Sequence, residues 1–254
     1  MTGRVLLLLA ALLVAGPVKA ETLIEHPAEC RVAQHLIENS IPLPNVRKAI
    51  AAKRVSILVL GAGSSLLPGP NGSPNAYPAQ LRASLAAKLP GVEFTLSTDV
   101  KARRTAVEMV KALPADLAAS KPALVVWQTG TVDAMQGVDH DQFSHVLDKG
   151  INIAHAAGAD VVLVNSQYSP RTESIIALGA YAESMRWVAV QREIPLFDRF
   201  SIMKLWGDLG TFDLYSATKK LDTAERVHAC IGRLLADFVS EAAKPEAPPE
   251  HGGR

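Results

Sequence analysis

Five short, largely apolar runs, separated by segments with helical periodicity, constrain this chain more than any other feature. They are VSILVL (55–60), VEFTLS (92–97), ALVVWQ (123–128), DVVLVNS (160–166) and IPLFD (194–198). Runs this short suit strands, and their continuous apolar character suits strands buried on both faces. A helix is predicted from Tyr77-Pro78 through Lys88, with Pro78 in the first turn where its missing N–H costs nothing. Further helices are predicted over TAVEMVKAL (105–113), over FSHVLDKGINIAHAAG closed by Gly158, and over the long stretch TESIIALGAYAESMRWVAVQRE (172–193). Strands alternating with helices predict an α/β domain, a three-layer, doubly wound, parallel five-stranded sheet. A last helix is predicted from Asp222 to about Val239. Its buried stripe is Ala224, Val227, Ile231, Leu234, Leu235 and Phe238, with Cys230 and His228 on opposite edges. Asp222 and Glu225 have the spacing of a capping box.

The ends read differently. Residues 1–20 combine the basic start MTGR, the apolar run VLLLLAALLVAG and small residues up to Ala20. That is the pattern of a signal peptide cleaved near Ala20, too short to span a bilayer, and it predicts a secreted or periplasmic chain. No later segment is apolar and long enough to be a membrane span. The domain is expected over 21–240, and EAAKPEAPPEHGGR (241–254) is expected to be a disordered tail. With Arg4 and Lys19 removed, 24 basic residues face 25 acidic ones, a balance that argues against nucleic acid as a partner. The two cysteines, Cys30 and Cys230, would meet an oxidising compartment. They read either as one disulfide closing nearly the whole domain or as two buried, inert thiols. His26, His35, His140, His145, His155 and His251 are scattered without metal-ligand spacing, so no metal and no cofactor is expected.

The chemistry concentrates where the first strand ends, in LVLGAGSSLLPG (58–69). Ligands of open parallel sheets bind beyond the carboxyl ends of the strands. The Ser64-Ser65 loop follows the first strand and Gly130-Thr131-Val132-Asp133 follows the third. In the usual strand order these loops open into one crevice. A serine there is either a nucleophile or a turn residue bonded to its own backbone.

From Cys30 to Ala236 the chain resembles the SGNH, or GDSL, family of serine esterases and acylhydrolases. It is most similar to a bacterial exported subgroup whose first block reads G-S-S-S-T-x-G. Gly63-Ser64-Ser65 with Gly69 matches that block, Tyr77-Pro78-Ala79-Gln80-Leu81 matches the following helix, and Trp127-Gln128-Thr129-Gly130-Thr131 matches the third block. Asp160 to Tyr168 with Pro170 resembles the next strand and loop, and Cys230-Ile-Gly-Arg-Leu-Leu-Ala the final helix. The resemblance implies the flavodoxin-like SGNH hydrolase fold, Ser65 as nucleophile, Gly63, Ser64, Gly130 and Arg103 around the oxyanion or cleft, and a Cys30–Cys230 bridge. It also implies a small-molecule or glycan ester ligand.

Three blocks depart from the pattern. Ala102 and Arg103 stand where the second block has a glycine, and Val132 where the third has asparagine. An ungapped count places Lys219 and Asp222 at the aspartate and histidine of the fifth block. Base candidates are therefore His228, through the acid-x-x-His spacing of Glu225 and His228, Lys219 as half of a serine–lysine dyad, and Asp222. An aspartate of ordinary pKa near ~4 is a poor base toward a hydroxyl. Two functions compete: an exported ester hydrolase, and a non-catalytic envelope protein that binds a glycan, an acyl ligand or a protein in the same cleft. Lys101, Arg103 and Arg104 would make that cleft's edge basic.

Overall fold

The computed structural model describes residues 27–215 and 221–244. The signal sequence expected over 1–20, most of the expected tail and Lys219 lie outside the described residues. In chain order the elements are α1 (Pro44–Ala51), β1 (Arg54–Gly61), α2 (Gly72–Asn75), α3 (Tyr77–Lys88), β2 (Glu93–Val100), α4 (Ala106–Ser120), β3 (Leu124–Gln128) and α5 (Thr131–Gln136). There follow α6 (His140–Ala156), β4 (Asp160–Val164), α7 (Pro170–Glu173), α8 (Leu178–Arg192), β5 (Leu196–Phe197), α9 (Arg199–Asp208) and α10 (Asp222–Ala242). All five strands are parallel, in the order β2-β1-β3-β4-β5. This is the expected five-stranded α/β sheet, with β1 and β3 side by side.

The apolar runs become central strands because successive side chains point to opposite faces, and both faces are covered. Val55, Ile57, Val59, Leu124, Val126, Val162 and Val164 pack with α1, α3, α9 and α10. Leu58, Leu60, Val125, Trp127, Val161 and Leu163 pack with α4, α6 and α8. Among the described residues no helix is long and apolar enough to cross a membrane.

Local capping explains where the structure departs from the periodicity. The long helix over 172–193 is two helices, α7 and α8, because Ala177 leaves helical geometry and the Glu173 carboxylate accepts the Gly179 N–H at 3.2 Å. Thr105 and Glu108 form a reciprocal capping box at the start of α4. Asp222 does not cap α10. The preceding Leu221 already has helical backbone angles, no side-chain cap bond forms, and Glu225 instead accepts from Asn75 Nδ2 at 3.0 Å. Asp222 therefore sits in the first turn, where its charge still complements the helix dipole. At the other end α10 continues past Val239 to Ala242. Ala242 and Ala243 are buried, and the Ala242 carbonyl accepts the Leu43 N–H, so the fold extends beyond residue 240.

Cys30 and Cys230 are joined in a disulfide, both fully buried, tying the first described turn to the middle of α10 across 200 residues. A cross-link this long removes much of the unfolded chain's freedom. The double variant Cys30→Ala/Cys230→Ala is expected to lose about 2–5 kcal/mol of unfolding free energy in urea titrations, and reductant should lower the midpoint of the wild-type chain only.

Candidate functional site

Beyond Gly61 the chain passes Ala62 and winds one 3-10 turn, Gly63–Ser65. Successive residues of such a turn point about 120° apart, so adjacent serines face different surroundings. Ser65 folds back over the strand end. A Cβ on Gly61 would collide with the Ser65 side chain, which is why glycine closes β1. Ser65 is 1% exposed. Its Oγ lies 2.8 Å from Gln128 Oε1 and 3.0 Å from the Tyr77 hydroxyl.

The directions of these bonds follow from the groups themselves. The Ala62 N–H also donates to Gln128 Oε1, at 3.3 Å, which fixes that atom as the carbonyl oxygen. A carboxamide oxygen only accepts, so Ser65 donates its single proton to Gln128 and accepts from Tyr77. Burial raises the pKa of Tyr77, which keeps the phenol protonated for that donation.

His228 is also buried, but it holds backbone. Its Nδ1 accepts the Tyr77 N–H at 3.0 Å, satisfying the first N–H of α3 and leaving the ring proton on Nε2. Burial, and secondarily the Arg199 charge, pull its pKa down to about 3. Arg199, at the start of α9, is completely buried. It donates to the Ser64 carbonyl at 2.9 Å and to Gln167 Oε1 at 3.2 Å, and its guanidinium carbon lies 5.4 Å from the Tyr77 ring centroid. Burial lowers its pKa to about 10, so it remains charged at neutral pH. Among the described residues no carboxylate pairs with it.

Above this layer, at the carboxyl ends of β1 and β3, opens a cavity of about 430 Å³. Ala62, Gly63 and Ser64 line it from the loop after β1, Ala102 and Arg103 from the loop after β2, Thr131, Val132 and Met135 from α5, and Gln167 from the loop after β4. Ser64 Oγ and Thr131 Oγ1 are buried without a hydrogen-bond partner among the described residues. A larger cavity of about 690 Å³ lies at the amino ends of the strands around Asn45, His155 and Asp160. There the Asp160 carboxylate is taken by Asn45 Nδ2 and the Val46 N–H, a structural use that joins α1 to β4.

Of the residues singled out in the sequence, Gly63, Ser64 and Arg103 thus line the cavity, whereas Ser65 lies beneath it. Gly130 begins α5 at φ 98°, and a Cβ there would press on Ser166 Oγ at 3.1 Å, so its conformation and its packing both call for glycine. The basic edge expected from three residues reduces to Arg103. Lys101 pairs with Asp99 at 3.1 Å, and Arg104 is buried against the same carboxylate. Among the described residues no cluster of three His, Cys, Asp or Glu side chains could hold a metal ion. Gln128, Tyr77 and Arg199 were not anticipated as site residues. The sequence marks Gln128 as a lone polar residue ending the apolar run LVVWQ, whereas nothing in it sets Arg199 apart from other charges that follow a strand.

The model of the non-GDSL lipase-like family matches residues 29–245, and the chain belongs to that family. Among solved structures it is similar to TesA, with 26% identity and a TM-score of 0.56 over 75% of this chain and 98% of that one. An acetylxylan esterase from Geobacillus stearothermophilus, in a catalytic mutant form, is 14% identical with a TM-score of 0.59 over 73% and 94%. A lipase/acylhydrolase from Enterococcus faecalis is 19% identical with a TM-score of 0.53 over 70% and 96%. The fold is that of SGNH-type esterases. No curated protein matches the chain significantly.

The buried imidazole gives a pH signature. Because the folded pKa of His228 is about 3 against an ordinary 6.5, the neutral ring's contribution is fully present above pH 6.5. As pH falls from 6.5 towards 3 the unfolded chain takes up a proton that the folded chain refuses, and stability drops. The loss should reach about 3–5 kcal/mol at the acid end of that window. His228→Asn keeps an acceptor without titrating. In urea unfolding at pH 7.5 and pH 4 it should lose clearly less stability than the wild-type chain.

Proposed function

We propose that the chain is an exported member of its family that holds a small acyl or sugar-derived ligand in the cavity over β1 and β3 without hydrolysing it. The observation that carries this reading is the commitment of the Ser65 proton to Gln128. Ester hydrolysis through serine needs a base to take that proton and donors for the tetrahedral oxyanion. A carboxamide oxygen does not take a proton near neutral pH, so the bond to Gln128 withdraws the hydroxyl from chemistry.

The other requirements are also unmet among the described residues. The one nearby imidazole has a pKa of about 3 and is bound to the Tyr77 N–H, which makes it a weak base with no free electron pair on Nδ1. Residues 216–220 read SATKK, which contains no imidazole and no carboxylate, so a base from that segment would have to be a lysine. Val132 supplies no side-chain donor to an oxyanion. Loss of one such donor typically costs about 3–4 kcal/mol of transition-state stabilisation. Loss of the base costs further powers of ten in rate. What remains intact is the means of binding: a cavity with largely apolar walls.

The purified chain should hydrolyse 4-nitrophenyl acetate no faster than its Ser64→Ala and Ser65→Ala variants, and a fluorophosphonate should label neither serine. A rate that disappears in either variant, or a labelled serine found by mass spectrometry, would establish hydrolysis in place of simple binding.

A further inference from the structure

We propose that the group seated in the cavity is a carboxylate, so that the protein receives short-chain organic acids rather than neutral esters; this rests on the reading of the cavity as a binding site without turnover. The first observation is a buried positive charge behind the wall. The Arg199 guanidinium is one hydrogen bond from each of two cavity residues, Ser64 at 2.9 Å and Gln167 at 3.2 Å. A buried ion is costly unless opposite charge compensates it, and among the described residues none does. The Nε of Arg199 is itself buried without a partner.

Neighbouring acids are engaged elsewhere. Asp198, next to Arg199 in the chain, accepts from Arg186 Nε at 2.8 Å and from Asn165 Nδ2 at 2.7 Å. Asp99 is held between Lys101 and Arg104, and Asp133 accepts from the Ala106 N–H at 2.9 Å and from Thr129 Oγ1 at 3.2 Å. The missing negative charge is therefore to be supplied from the cavity.

The second observation is the set of donors. Ser64 Oγ and Thr131 Oγ1, on two residues that line the cavity, are shielded from water and have no hydrogen-bond partner among the described residues, although native proteins seldom leave such hydroxyls unsatisfied. Gln167, with its Oε1 taken by Arg199, keeps its amide N–H groups. Arg103, at the exposed rim with φ 59°, adds a second guanidinium. The Arg199 charge behind the wall, the Gln167 amide and the Arg103 guanidinium thus surround a cavity whose lining holds no anion, an arrangement that prefers a carboxylate to an ester carbonyl. Ala62, Ala102, Val132 and Met135 line the remainder and suit an aliphatic tail.

The test is calorimetric titration of the purified full chain with sodium hexanoate, with hexanamide and with methyl hexanoate at neutral pH. Hexanoate should bind about tenfold or more tightly than hexanamide, as expected for a hydrogen-bonded charge in a partly dry site. Arg103→Gln, a change at an exposed position, should reduce that preference several-fold. Equal affinity for hexanoate and hexanamide, or no hexanoate binding at all, overturns the proposal. If the amide or the ester binds while the acid does not, the charge inference fails and binding without turnover stands. If methyl hexanoate is converted to acid during the titration, it is the non-catalytic reading that fails.

Discussion

The hydrogen bond from Ser65 to Gln128 fixes the turn after β1 to the end of the neighbouring strand β3. Gln128 ends β3, Ser65 belongs to the turn after β1, Tyr77 opens α3, and His228 lies on α10. Each bond in the series uses the only suitable atom of its donor: the serine proton, the phenol proton, then the first backbone N–H of a helix. A net contribution of about 1 kcal/mol per bond understates their importance, because each group is buried. Removing one member leaves its neighbour unsatisfied, and that penalty is larger than the bond's own contribution.

Arg199 secures the same turn from the other side. Its bond to the Ser64 carbonyl fixes the backbone just where the Ser65 side chain fixes the next residue. The turn is thus held by β3 and α3 below and by α9 behind, and its Gly63 and Ser64 line the cavity. Fixing a loop by a full guanidinium charge, with no carboxylate opposite it among the described residues, is expensive as structure alone. That expense becomes reasonable on the proposal that the cavity in front of Ser64 and Gln167 takes an anion.

How much of this was legible in the sequence depends on the range of the interactions. The central strands could be read because each buries both faces, so their apolar runs are unbroken. Helix α1 is little more than two turns, and on α9 the buried stripe of Arg199, Ile202, Met203 and Trp206 begins with a charged residue that a hydrophobic pattern counts as exposed, so neither is legible as a helix. The break between α7 and α8 depends on Glu173 reaching Gly179, which no periodicity reports. The crevice between the loops after β1 and β3 follows from strand order, but the facing of Ser64 and Ser65 does not. A motif assigns a register along the chain, whereas the turn decides by rotation which serine is exposed to the cavity. Likewise Glu225 and His228 keep an acid-x-x-His spacing, yet on α10 they are directed to Asn75 and to the Tyr77 N–H, two different partners.

The case of His228 shows why the structural and catalytic uses of a residue exclude one another here. A general base near neutral pH needs a conjugate acid of comparable pKa and an electron pair free to point at the nucleophile. Burial against α3 denies both, since it drives the pKa to about 3 and commits Nδ1 to a helix terminus. Restoring basicity would require admitting water or a carboxylate beside the ring. Turning Nδ1 away would also orphan the first N–H of α3, directly above the Ser65 contact. The neutral imidazole is therefore part of the frame that carries the cavity, and the same burial that makes it a good support makes it a poor base.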